Sequence, residues 1–348
     1  MSSRKTDEYV DRCCDRILEL LLEHHALVHP EIEARVSEGY YRSSNRNIDP
    51  HHVTTALRNL TKRGDILRLR TTTRGGRAIE TVQLTHPPSG TSTVVARAAA
   101  RRRLLYARYQ GWAQGTVHNP QGLIGPAGEV AVRLGLQNSG ALQPAVPGFA
   151  EVRSLLGSVL TGPLDSAGFL VPILHGLPQT PITILVEVKN IRSWVYPSSA
   201  EPYPLLAKAA RLQQDHPTQP IIPMLICRRA HPTLFWMAQQ LGFVVIELEA
   251  QFAGDVPADS LDEVRTELAF SDLRIGTGPS IRVAERLRSE ALLAKTPEIA
   301  DTWATTAQAP IAGQAILAAK ASRDWSSRLS PVEALRAWNT SRGQQGGW

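Results

Sequence analysis

The chain has 348 residues, is 43% hydrophobic and carries a formal net charge of +6. That length accommodates two domains, and the composition excludes collagen-like, low-complexity and strongly disordered classes. A polar N-terminus and the lack of an apolar run of membrane-spanning length predict no signal peptide and no membrane segment. Cys13, Cys14 and Cys227 match neither a disulfide framework nor a metal-knuckle spacing, which predicts a reduced, cytoplasmic setting.

Residues 9–27 place Val10, Cys14, Ile17, Leu18, Leu21, Leu22 and Leu27 at helical spacing, predicting an amphipathic helix. His29-Pro30 breaks it, and Pro30 suits the first turn of a short second helix over 31–37. A polar loop with Tyr40, Tyr41 and Arg42 leads to Asp49-Pro50, an N-cap followed by Pro at the first helical position. The third helix runs through Val53, Ala56, Leu57 and Leu60 to Gly64. Two strands follow, 66–70 and 78–84, joined by Thr73-Arg74-Gly75-Gly76-Arg77, whose glycine pair suits a hairpin.

Three helices followed by a hairpin is the order of a winged helix-turn-helix over residues 1–90. Between Arg42 and Arg108 stand fourteen Lys and Arg against Asp49, Asp65 and Glu80, a net of +11 that leaves −5 for the rest of the chain. Such asymmetry points to a polyanion, and for this module to double-stranded DNA. The third helix would present Thr55, Arg58, Asn59 and Lys62 to the major groove, and the turn would offer Arg74 and Arg77 to a minor groove or to phosphates. A winged helix can equally serve protein interaction. His24, His25, His29, His51 and His52 have no acid or Cys at ligand spacing and are read as surface or DNA-facing residues. Residues 91–120 form a basic connector, a helix over 91–114 and then a linker. Arg101 and Arg102 lie at the helix centre, as phosphate contacts or as a solvated face.

From about 121 the pattern changes. Gly125-Pro126-Ala127-Gly128 opens a short helix over 129–134, strands are expected at 152–160 and 165–174 with Gly168 as a kink, and the next strand covers 182–189. A helix over 205–214, a strand over 221–227, a helix over 233–241 and a strand over 243–248 complete the series. The run Ile182-Thr183-Ile184-Leu185-Val186-Glu187-Val188-Lys189 is too short and too β-branched for a helix. Residues i and i+2 of a strand share a face, so Glu187 and Lys189 lie side by side. With Asp165 upstream after a Gly-Pro-Leu turn, this is the set a metal-dependent phosphodiesterase needs. Two carboxylates would hold a hard divalent cation and a lysine would act on water or transition state, its pKa lowered by desolvation. Lysine is scarce here: Lys5, Lys62, Lys189, Lys208, Lys295 and Lys320 are the only ones, and Lys189 alone has an acid two positions before it.

Element order and motif over about 121–250 resemble the PD-(D/E)xK superfamily, the restriction-endonuclease-like fold. Asp165 in Gly-Pro-Leu-Asp and Glu187-Val188-Lys189-Asn190 match its pattern, with Leu164 where the name-giving Pro would stand. The resemblance implies an αβββαβ core with a mixed sheet. It also implies Mg²⁺, with Mn²⁺ able to substitute, on Asp165, Glu187 and the Val188 carbonyl. Glu129 falls where the family commonly has a helical acid, and joins Asp165, Glu187 and Lys189 as a catalytic candidate. A winged helix ahead of such a domain is also similar, in architecture, to Mrr-type modification-dependent restriction proteins.

The fold class expected is therefore α/β in the mixed α+β sense: a winged helix over 1–90, the connector, a nuclease-like domain over 121–255 and a helical extension over 256–348. In that extension, helices are expected at 261–273, 281–294 and 310–321, with a frayed end at 341–348. The expected activity is DNA endonucleolysis in restriction, defence or repair, without an organic cofactor or a membrane. Duplex cleavage favours a homodimer, nucleoid-associated when on DNA. Two alternatives stay open: a non-catalytic DNA-binding regulator, and a transposition or branched-DNA nuclease. Gln213, Gln214 and Lys208, on the helix after the Glu-x-Lys strand, are further residues able to face the site.

Overall fold

The first helix, α1 (Ser2–His24), buries Val10, Cys13, Cys14, Ile17, Leu20 and Leu21, spacings that a 3.6-residue repeat gathers on one stripe. The structure, a computed structural model, describes residues 2–38, 48–73, 76–117, 119–174, 176–276, 278–343 and 348. Tyr40, Tyr41, Arg42 and Arg74, named above, lie outside the described residues. α1 ends where His25 takes a left-handed φ of 66°, and the chain turns into β1 (Ala26–Val28). The helix expected to reach residue 27 stops short because Leu27 is claimed by a sheet, opposite Val82. Leu22, expected inside, is 54% exposed.

Next come α2 (His29–Ser37), α3 (Pro50–Arg63) and the hairpin β2 (Ile66–Thr72) and β3 (Ala78–Leu84). Gly64 ends α3 at a φ of 80°, a conformation open to glycine without a Cβ clash. The sheet order is β1-β3-β2, antiparallel throughout, and its core joins Ile17 and Leu21 of α1 to Ile32, Leu57, Leu60 and Val82. α4 (Ser92–Gln114) follows. The chain divides into two compact units, Met1–Leu123 with Asp255–Ile275, and Ile124–Gly254 with Gly276–Trp348. The helix expected as a connector over 91–120 thus falls within the first unit, as does the opening of the expected C-terminal extension.

The second unit opens with α5 (Ile124–Ser139), longer than the short helix expected at 129–134, because Ala131, Val132, Gly135 and Leu136 continue its buried face. After β4 (Gln143–Pro144) comes the hairpin β5 (Val152–Leu155) and β6 (Ser158–Leu164). The single strand expected over 152–160 is split by Leu156 and Gly157, whose φ values are 55° and 83°. β7 (Ser166–Leu170) stops short of the expected residue 174, and β8 (Ile173–Leu174) pairs with β9 (Leu177–Pro178) instead. Gly168 is no kink. A Cβ there would lie 2.8 Å from the Gln143 carbonyl oxygen, so its absence lets β4 approach.

β10 (Ile182–Lys189), α6 (Pro202–Asp215), β11 (Ile221–Cys227), α7 (Pro232–Leu241) and β12 (Val244–Glu247) alternate strand and helix. The five-stranded sheet has the order β12-β11-β10-β7-β4. β10, β11 and β12 run parallel, and β7 is antiparallel to β10 and β4. Ile184, Val186 and Val188 pack into one core with Val132 and Leu136 of α5, whereas Leu185 packs into another with Leu205, Leu206 and Leu212 of α6. Burial on both faces explains the unbroken apolar run of β10.

Beyond β12 the chain rejoins the first unit through α8 (Ala258–Glu267), shorter than expected because Ala269 turns left-handed at a φ of 57°. The second unit is completed by α9 (Ile281–Arg288), α10 (Glu290–Leu293), α11 (Thr296–Gln308), α12 (Pro310–Ala321) and α13 (Trp325–Ser341). Trp303, Ala312, Ile316 and Leu335 from this stretch enter the α6 core. Trp348 is buried and donates through Nε1 to Gln240 Oε1 at 2.5 Å, so the residue expected at a frayed end is anchored. No described helix is long and apolar enough to cross a membrane.

Candidate active site

β10 places Leu185, Glu187 and Lys189 toward the α6 layer, and its end is where the charges begin. The antiparallel register sets Val186 opposite Ser166, which brings Asp165, the residue before β7, beside Glu187. The Val188 N–H donates to Asp165 Oδ2 at 2.6 Å. In a strand the N–H and C=O of one residue point to the same neighbour, so the Val188 carbonyl lies on the Asp165 side. Glu187 is almost wholly buried. Lys189 Nζ donates to its Oε1 at 2.9 Å and Lys208 Nζ to its Oε2 at 2.7 Å. Lys208 also donates to the Pro163 carbonyl at 2.5 Å. Glu129 arrives from α5, pairs with Arg133 at 3.2 Å, and the same Arg133 donates to the Asp165 carbonyl at 3.3 Å.

Electrostatics tie these groups into one cluster. Burial pushes the Asp165 carboxyl above its ordinary range and the Glu187 charge pushes it further, against the Val188 N–H and the two lysines. Burial, then the charge of Asp165, also raises Glu129. Burial works against the Lys189 ammonium, but Glu187, Asp165 and Glu201 outweigh it and hold its pKa above the usual lysine value. The expectation of a desolvated lysine with a lowered pKa is therefore corrected. The acids that make the site also keep the lysine charged.

The donor set suits a hard divalent cation: Asp165, Glu187 and the Val188 carbonyl are oxygen ligands, and the crowding of Asp165 by a second carboxylate is what a cation relieves. Gln213 and Gln214 do not join this cluster. Gln213 caps the end of α6 through the His216 and Gln219 carbonyls, and Gln214 donates to the Ala307 carbonyl. Lys208 is central, and its signal was a lysine set among Leu205, Ala209 and Leu212 on the buried stripe of a helix.

No protein-family model, curated protein or solved structure matches the chain.

In the first unit, Arg58 and Lys62 of α3 are exposed, with Thr55 and Asn59 half-buried beside them. Arg77 is turned inward, donating to the Gly115 carbonyl. Arg101 and Arg102 are engaged internally. Arg101 grips Glu267 of α8 at 2.6 Å, and Arg102 reaches both Glu267 at 3.2 Å and the fully buried Glu31 of α2 at 3.1 Å. Arg35 shares Glu31 at 2.9 Å. The basic centre of α4 thus has carboxylate partners where phosphates or solvent were expected.

Proposed function

We propose that the chain is a metal-dependent DNA endonuclease with a PD-(D/E)xK-type core in its second unit and a winged helix-turn-helix in its first. The carrying observation is the meeting of Asp165, Glu187 and Lys189 at the ends of two adjacent strands, with the Asp165 carboxylate held by the Val188 N–H. An antiparallel β7–β10 pair followed by α6 and parallel β11 supports this reading of the core. Three helices and the β2–β3 hairpin support that of the first unit.

Asp165 and Glu187, with the Val188 carbonyl, would hold Mg²⁺ or Mn²⁺, which when bound supplies charge neutralisation for the scissile phosphate and an acidified water. Lys189, charged at neutral pH, orients the attacking water and stabilises the developing negative charge. With Glu187 and Asp165 beside it, positioning water and stabilising charge is the role its surroundings favour. Glu129 and Arg133 fix the Asp165 end of the site from α5. Docking falls to the exposed side chains of α3, Arg58 and Lys62 foremost, with Thr55 and Asn59 between them. Arg74, three residues before Arg77 in the hairpin sequence, would add a phosphate contact, whereas Arg77 would first have to leave the Gly115 carbonyl. Cutting both strands of a duplex calls for two such sites and hence a homodimer.

The test is plasmid and branched DNA, unmodified and modified, incubated with protein and Mg²⁺, alongside EDTA and Lys189→Ala controls. Cleavage that EDTA and Lys189→Ala each abolish is expected. Wild-type protein that leaves every DNA form intact overturns the nuclease reading, and cutting that survives Lys189→Ala overturns the site assignment. The regulator alternative predicts binding without cutting.

A further inference from the structure

We propose that Lys208 is a positioning residue that holds Glu187 in place, while Lys189 is the ammonium that gives way when a divalent cation enters. This rests on the metal-dependent reading of the site. Both oxygens of Glu187 are taken, Oε1 by Lys189 at 2.9 Å and Oε2 by Lys208 at 2.7 Å. Each oxygen keeps a second lone pair, but an ammonium this close repels an entering cation, and the two lysines are not equivalent in how easily they can withdraw.

The Lys208 side chain is 7% exposed against 26% for Lys189. Lys208 also satisfies the Pro163 carbonyl at 2.5 Å, so its departure would leave a buried ammonium, a carboxylate oxygen and a carbonyl without partners. It stands on α6 between Leu205, Ala209 and Leu212, all packed into the core, and so approaches Glu187 from a rigid element. Through Pro163 it ties the end of β10 to the end of β6, two residues before Asp165. Lys208 therefore sets the spacing of the two acids.

Lys189 has the opposite character. It lies at the last position of its strand, is the more accessible of the pair, and can swing from Oε1 into solvent. Once withdrawn from Oε1, the Lys189 ammonium would be free to face a phosphate group, and Glu187 would be free to help hold a cation.

The test is calorimetric titration of Mn²⁺ alone, without DNA, into full-length wild type, Lys208→Met, Lys208→Gln and Lys189→Met. Circular dichroism and thermal unfolding verify the fold, and plasmid cleavage runs in parallel. Loss of an outer-shell partner commonly weakens metal affinity by about 10–100-fold, and that loss is expected for Lys208→Met. Lys208→Gln, which keeps a hydrogen-bond donor, recovers part of it. Lys189→Met binds Mn²⁺ as tightly as wild type or more tightly, having lost a competing cation.

The sign decides. A lysine that merely competes for Glu187 would yield tighter Mn²⁺ binding when removed, so Lys208→Met or, should that variant not fold, Lys208→Gln binding as tightly as wild type overturns the proposal. So does a larger loss from Lys189→Met than from Lys208→Met. Wild type that binds no Mn²⁺ sinks the metal-dependent reading and this inference together. Wild type that binds Mn²⁺ and cuts DNA, with Lys208 variants of undiminished affinity, sinks this inference alone.

Discussion

Asn190, one residue past β10, donates through Nδ2 to the carbonyls of Ile124 at 2.6 Å and Phe252 at 2.7 Å, and accepts from the Phe252 N–H at 3.1 Å. It fastens the start of α5 to the strand that carries Glu187 and Lys189. Gly128 of α5 makes the fit possible, because a Cβ there would lie 2.4 Å from Asn190 Cβ. Gly128→Ala must displace either the helix or the amide, at a cost of about 1–3 kcal/mol for overpacking of this kind. A lower unfolding midpoint in urea is expected, with reduced cleavage by the protein that remains folded, since Glu129 is the next residue on the displaced helix. Unchanged stability would mean that the Gly128–Asn190 approach is not a constraint.

At the scale of elements, α4 shows how a basic stretch can be structural. Its arginines hold α2 and α8 through Glu31 and Glu267, and because Arg35 and Arg101 would still pair with those acids, losing Arg102 costs about 1.5–3 kcal/mol, the range for hydrogen bonds to charged groups. Arg102→Ala is therefore expected to lower stability by that order while leaving the DNA affinity of folded protein unchanged. Replacing both Arg58 and Lys62 by alanine reverses the pattern. Stability stays within about 0.5 kcal/mol, as for most surface changes, while the slope of log affinity against log salt falls by about 2. Fluorescence anisotropy across a salt series, paired with thermal unfolding, separates the two. A salt slope that follows Arg102 instead would move the docking surface to α4.

On the scale of the whole molecule, the chain's two ends serve different units, and a segment far along the sequence, Asp255–Ile275, completes the first. The last residue is part of the second unit's core. Trp348 packs with Val332 and Leu335, bonds Gln240, and lies under the Arg336 guanidinium at 5.3 Å. Trp348→Ala is expected to cost about 3–5 kcal/mol, the usual range for a buried tryptophan, visible as a lower urea midpoint with a similar m-value. A neutral effect would show that the C-terminal anchor is peripheral.

The sequence by itself determined the strands and helices whose pattern repeats within a few residues. β10 was legible to its ends because a strand buried on both faces is a continuous β-branched run, and Glu187 with Lys189 because a two-residue period puts them on one face. α3 was legible from Asp49-Pro50 at one end and Gly64 at the other. Only the tertiary structure decided which charges meet. Lys208 reaches Glu187 across 21 residues and Arg101 reaches Glu267 across 166, and no local period carries that information. The same holds for the raised pKa of Lys189: burial alone would lower it, and the outcome depends on acids brought in by β10, by the β6–β7 junction and by the segment ahead of α6. Periodicity is set by backbone geometry within an element; electrostatic partnership is set by where separate elements pack.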